Sequence, residues 1–207
     1  MKKEIEATFL SIDKHVARNQ FKVAGFNLST PEYLMRRRTF ELPDVAAGHN
    51  KWARVRQESN RITMTIKEIL GPGINDTYEV ELIVNDFDTA TDFLRGIGIR
   101  TVAFQENTRE VWMRGDIEAT IDTWPGLKPF VEIEGPSESD VRAASSELGF
   151  DFSQAFFGSI DRVYEKELGI PANIINQLPE LTFANPPDKK NYLRFGNSLH
   201  FGKNGEY

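Results

Sequence analysis

Cysteine is absent from the 207 residues. Disulfides and thiolate metal sites are thereby excluded, and a cytoplasmic location is the expectation. Histidine is scarce, and His15, His49 and His200 stand too far apart to form a ligand spacing. Positive charge is not in excess. Lys and Arg number 25 against 31 Asp and Glu, for a formal net charge of −6, so the basic footprint of a nucleic-acid binder is missing. No apolar run is long enough to span a bilayer. The opening MKKEIEATFLSID carries acids where a secretory signal needs an apolar core. GPGIND lacks the lysine and the helix context of a phosphate-cradling loop. Neither a nucleic acid nor a membrane is expected as a partner.

What is present is ordinary for a folded chain, 40% hydrophobic and 27% charged. No internal repeat and no break in composition divides it. The expectation is one domain over 1–207, with a core of about 3–168 and a C-terminal extension of about 171–207 that packs on the body through Phe183, Tyr192, Phe195 and Phe201.

Alternation of apolar and polar residues predicts strands over 3–10, 33–42, 51–58, 61–69, 77–84, 107–115, 116–124 and 130–135. Helices are predicted at 11–26, anchored by Val16, Phe21 and Val23, and at 86–98, capped by Asp86 with Phe87, Ala90, Phe93 and Leu94 inward. Two more are predicted at 137–150, opened by Ser137 and Asp140, and at 159–169.

Sorting each strand into its two faces is informative, because alternate side chains share a face. Glu4, Glu6 and Thr8 oppose Ile5, Ala7 and Phe9. Arg54 and Arg56 oppose Ala53 and Val55. Thr65 and Lys67 oppose Met64 and Ile66. Glu79 and Glu81 oppose Val80 and Leu82. Glu118 and Asp122 oppose Ile117 and Ile121, and Glu132 and Glu134 oppose Val131 and Ile133. One explanation is a sheet with a single wet face. The other is a barrel: about eight strands can close, and helices outside would leave the charged faces lining the interior. The fold class expected is α+β, a closed eight-stranded antiparallel β-barrel (a tunnel) with helices packed outside.

A charged interior needs compensation. Seven acids (Glu4, Glu6, Glu79, Glu81, Asp122, Glu132, Glu134) face four bases (Arg54, Arg56, Lys67, Arg109). Pairing alone leaves negative charge over, and an unpaired buried ion costs several kcal/mol. Hard divalent cations, Mg2+ or Mn2+, suit carboxylate oxygens and leave positions open for phosphate. The bases suit phosphate oxygens.

In order along roughly 3–168, the segments EIE, WARVR, TMTIKE, YEVEL, TREVW and ATIDTWPGLKPFVEIEG resemble the CYTH domain family, the triphosphate tunnel metalloenzymes. That family includes class IV adenylate cyclases, thiamine triphosphatases and inorganic tripolyphosphatases. The resemblance implies an eight-stranded barrel with Glu4, Glu6, Glu132 and Glu134 as metal-binding acids. It implies Arg54, Arg56, Lys67 and Arg109 as triphosphate-binding bases, and Glu79, Glu81 and Asp122 as further tunnel acids. Catalytic roles fall to Glu4, Glu6, Lys67, Glu79, Glu81 and Asp122. Two positions depart from the family pattern: Thr8 stands where lysine is usual, and Asn107 where a basic residue commonly precedes Arg109 by two. Lys2 shares a face with Glu4, and Arg36 or Arg38 are candidates to reach inward.

The activity expected is metal-dependent hydrolysis of a triphosphate: tripolyphosphate, thiamine triphosphate or a nucleotide. The alternatives are a class IV adenylate cyclase, turning ATP into cyclic AMP and pyrophosphate, and a phosphate-ligand binding protein that has lost turnover. A triphosphate-containing small molecule is the expected partner, with a homodimer as a further expectation. Trp52, Trp112 and Trp124 read as packing residues.

Overall fold

The computed structural model describes residues 1–43 and 50–188. His49, His200, Tyr192, Phe195 and Phe201 lie outside the described residues.

The first strand-like segment is broken at Ile5 into β1 (Lys2–Glu4) and β2 (Glu6–Phe9). The chain continues through α1 (Lys14–Val23), β3 (Asn27–Glu41), β4 (Asn50–Gln57), β5 (Ile62–Ile69), β6 (Thr77–Val84), α2 (Phe87–Gly96), β7 (Arg100–Arg114), β8 (Ile117–Thr123) and β9 (Phe130–Glu134). After these come α3 (Glu138–Glu147), α4 (Ile160–Leu168), the short α5 (Ala172–Ile175) and β10 (Glu180–Leu181).

The sheet runs β1-β6-β5-β4-β3-β7-β8-β9-β2, and β10 joins β7 in parallel at one end. Every other pairing is antiparallel. Because β1 and β2 are consecutive pieces of one segment, the two ends of this path meet at Ile5. The result is a nearly closed barrel. Counting the broken segment once and setting aside the two-residue β10, which lies off this path, gives the eight barrel strands that the sequence predicts.

The barrel is apolar outside and charged inside, and the helices explain how that is stable. Ala7, Phe9, Ile121, Val131 and Ile133 form the outer face of β2, β8 and β9, where they pack with Ala17 and Phe21 of α1 and Val141 and Ala144 of α3. Phe40, Ala53 and Val55 of β3 and β4 lie under Phe87, Ala90 and Leu94 of α2. Trp124 and Phe130 pack with Val163 and Tyr164 of α4 and Ile175 of α5. Burying apolar area under helices supplies the main stabilisation, which leaves the inner face free to be polar.

Capping follows local sequence. Asp13 accepts from the backbone of His15 and Val16 at 2.8 and 3.0 Å, and Asp86 from Thr89 at 2.7 Å. Gly169 ends α4 at φ 64°, a conformation that favours glycine.

Three sequence expectations are corrected. In α1 the anchors are Ala17 and Phe21, one turn apart, whereas Val16 and Val23 lie 55% and 89% exposed. In α2, Phe93 is 60% exposed because the stripe that meets β4 is Phe87, Ala90, Thr91 and Leu94. Strands β3 and β7 are each 15 residues long, well beyond the predicted spans. Their register is interrupted around Leu28–Tyr33 and at Thr39/Phe40. Pro31, which cannot donate to a ladder, sits in the first irregular stretch.

Candidate functional site

Residues paired across antiparallel strands share a face, so the registers define the tunnel lining. Lys2, Glu79, Lys67 and Trp52 are neighbours across β1, β6, β5 and β4. Glu81, Thr65, Arg54 and Thr39 form the next row, and Thr63, Arg56 and Arg37 the one after. Across the barrel, Glu6, Glu134 and Glu118 align, as do Thr8, Glu132 and Thr120. Arg109 aligns with Asp122. Apart from Thr63, Thr65 and Asp122, these residues line a cavity of about 1180 Å³.

One wall is acidic. Carboxylate oxygens of Glu4, Glu6 and Glu134 all lie within 4.8 Å of one another. Lys67 forms an ion pair with Glu4 and approaches Glu6 at 3.7 Å, while Lys2 approaches Glu134 at 3.8 Å. These two ammonium groups do not neutralise the cluster. Burial, then Glu4, Glu6 and Glu118, push the Glu134 carboxyl up to about 7. Burial likewise raises Glu6 and Glu79, with Glu4 adding repulsion in both cases. Burial also opposes ionisation of Glu4, but Lys67 and Arg54 outweigh it and its pKa ends lowered. Burial works against the charged form of Lys67 too, and Glu6 and Glu4 overcome it. Glu4 Oε2 carries the Lys67 ion pair, and Glu79 Oε2 is buried without a hydrogen bond, with Arg54 3.9 Å away. Three converging carboxylates with surplus negative charge fit a hard divalent cation.

The facing wall is basic. Arg54 reaches Glu79 at 3.9 Å. Arg56 pairs with Glu58 at 2.5 Å and Glu81 at 3.6 Å. Burial, then repulsion from Arg56, lowers the Arg54 pKa to about 10. Arg109 is held more tightly. Its Nε donates to Asp122 Oδ1 at 2.9 Å, and its Nη2 lies 2.9 Å from Asp122 Oδ2 and donates to Glu132 at 2.6 Å. Burial would lower its pKa, but Asp122 and Glu132 hold it well above the ordinary value. Asp122 is fully buried and also accepts from Asn107 Nδ2 at 2.7 Å and Thr120 Oγ1 at 2.8 Å. It positions Arg109. Glu132 belongs to this wall by contact, outside the three-carboxylate cluster, and its carboxyl is raised to about 8 by burial, with Arg109 opposing and Asp122 and Glu6 adding.

Arg37 completes the basic wall, and sequence reading passes over it. Arg36 and Arg38, the inward candidates, lie on the outer face: Arg36 donates to Gln57 at 2.6 Å and covers Phe87, and Arg38 covers Phe104. Arg37 instead lines the cavity, 8% exposed, hydrogen-bonded to Asn107 and resting 4.4 Å over the Trp124 ring. Burial, then Arg54, Arg56 and Arg109, drive its pKa well below the ordinary value. Trp124 therefore faces the tunnel as well as the core. The usable signal is parity: Phe40 belongs under α2, which puts 36 and 38 on the outer face and 37 inside.

Asn107, one of the two departures, bridges Arg37 to Asp122. Thr8, the other, is buried and exchanges backbone hydrogen bonds with Phe156 at 3.2 and 2.8 Å. Asn173, Asn176 and Gln177, in and after α5, border the cavity. The C-terminal extension thus contributes to its wall. No helix among the described residues is long and apolar enough to cross a membrane.

Comparison with known proteins agrees with this architecture. No curated protein matches the chain. Among solved structures, a protein of Pyrococcus horikoshii superposes with a TM-score of 0.62 at 19% identity, covering 73% of this chain and 93% of its own. A conserved protein of Pyrococcus furiosus gives 0.60 at 22%, covering 73% and 94%. A candidate adenylate cyclase of Vibrio parahaemolyticus gives 0.65 at 14%, covering 79% and 98%. These likenesses establish the fold. The CYTH domain matches residues 40–151, more than half of the sequence, and the chain belongs to the CYTH domain family.

Proposed function

We propose that the protein is a divalent-metal-dependent hydrolase of a triphosphate bound inside the barrel. The observation that carries this reading is the opposition of an under-neutralised carboxylate cluster, Glu4, Glu6 and Glu134, to a wall of buried guanidinium groups within one cavity. A polyphosphate with a bound cation supplies charge of the sign that each wall lacks.

Glu4, Glu6 and Glu134 would hold the cation, Mg2+ or Mn2+, with Glu132 adjoining from the Arg109 side. When bound, such an ion polarises phosphoryl oxygens and offsets their charge. Lys67, Arg54, Arg56 and Arg109 bind the phosphate oxygens and stabilise charge that spreads onto them during transfer. Asp122 keeps the Arg109 fork in place. Glu79 and Glu81, opposite Arg54 and Arg56, orient the attacking water, and the raised proton affinity of Glu79 suits it to accept a proton.

The test is product analysis with tripolyphosphate, thiamine triphosphate and ATP, each with Mg2+ or Mn2+ and with chelator. Release of orthophosphate that stops with chelator is expected. Cyclic AMP plus pyrophosphate from ATP would replace hydrolysis with cyclisation. Tight binding without turnover would mark a binding protein.

A further inference from the structure

Arg37 is buried, yet no carboxylate lies within ion-pair distance of it among the described residues, in contrast to Arg54, Arg56 and Arg109. Its Nε has no hydrogen-bond partner. Its polar contacts are the neutral Asn107 side chain and the Met35 sulfur; Arg54, Arg56 and Arg109 repel it, and Asp122, held by Arg109 and Asn107, opposes them more weakly. A buried cation in such company opposes folding unless an anion meets it. The Trp124 face and Asn107 hold the guanidinium in one orientation, which leaves its remaining donors for a ligand in the cavity.

Its position along the barrel is also defined. Arg37 pairs in register with Arg56, and Lys67, which touches Glu4, pairs with Trp52. Four residues of β4 separate these levels, roughly 13 Å along the strand. One orthophosphate held at the acidic cluster would fall short of Arg37, and a chain of phosphates extends toward it.

We propose that Arg37 is a substrate-binding residue that takes the phosphate farthest from the Glu4–Glu6–Glu134 cluster and so favours longer phosphate chains. The assignment rests on the reading of the tunnel as a triphosphate site. The required ligand is a linear polyphosphate, free or as part of a larger molecule.

The experiment is calorimetric titration of the Arg37→Met variant with tripolyphosphate and with pyrophosphate, in Mg2+, beside thermal unfolding without ligand. Arg36→Met, on the outer face, is the control. Arg37→Met should weaken tripolyphosphate binding by about tenfold or more, and pyrophosphate binding by less than about threefold. Its unliganded Tm should stay level or rise, because an unpaired buried charge is gone. Arg36→Met should bind both ligands as the unchanged protein does. Unaltered tripolyphosphate binding by Arg37→Met, equal losses for both ligands, or a lowered unliganded Tm would each overturn the assignment. Failure of the unchanged protein to bind tripolyphosphate would instead overturn the triphosphate reading itself.

Discussion

Arg109 and Asp122 face each other across β7 and β8, with both nitrogen–oxygen contacts at 2.9 Å and Asp122 wholly buried. The pair links sheet register to chemistry. Its side chains meet because residues 109 and 122 are register partners, and its geometry aims a guanidinium into the cavity. Replacing Asp122 by Asn should leave Arg109 buried with only Glu132 as its acid. The expected cost is about 3 kcal/mol, or a fall in Tm of roughly 6–12 °C, together with weaker tripolyphosphate binding. Thermal unfolding and calorimetry check both.

The acidic cluster predicts a contrast between two glutamates. Glu134→Gln should weaken Mg2+ binding about tenfold to a hundredfold. Glu165→Gln removes an acid on α4 that pairs with Arg162 at 2.7 Å at the surface, and should leave Mg2+ affinity unchanged. Equal effects on Mg2+ titration would count against the cluster as the cation site.

Lys67 holds the same carboxylates that the cation needs. Lys67→Met should lower turnover of tripolyphosphate about a hundredfold by removing a phosphate-binding charge. Divalent-ion affinity should not fall with it, because Glu4 and Glu6 lose their competing ammonium group. Steady-state kinetics beside metal titration separates the two effects.

The pH dependence follows from Glu132 at about 8 and Glu134 at about 7, both above the ordinary 4.5. Between about 4.5 and 8 the metal-free folded protein keeps protons that the unfolded chain has released, so these groups make stability fall as pH rises. A cation on the Glu4–Glu6–Glu134 cluster must displace the Glu134 proton, so its affinity rises as pH climbs through about 7. The increase in Tm on adding Mg2+ should therefore be larger at about pH 8.5 than at about pH 6. A smaller increase at the higher pH would contradict the assignment.

Much of this was legible in the residue order. Arg54 and Arg56, Glu79 and Glu81, and Glu132 and Glu134 lie on strands whose alternation is clean, so their common face could be read directly. The number of strands and the charged character of that face argued for closure, and its charge imbalance for a cation. Arg37 was hidden because three consecutive arginines erase the alternation, and only Phe40, buried beneath α2, shows which of them turns inward. The early part of β7 was missed for a related reason: its pairing with β3 shifts at Thr39/Phe40, so Thr101 to Ala103 break the period. Phe93 and Val16 show the limit of reading helices by hydrophobicity alone, since the wall a helix meets, here β4 or the β2–β8–β9 face, decides which apolar residues are covered.

The most direct measurement is a crystal structure of the protein grown with Mn2+ and tripolyphosphate, with manganese located by its anomalous scattering. The account predicts manganese bound by Glu4, Glu6 and Glu134, and a phosphate chain running from it along Arg54 and Arg109. Manganese bound elsewhere, or phosphates lying on the outer surface with the barrel interior unchanged, would contradict it.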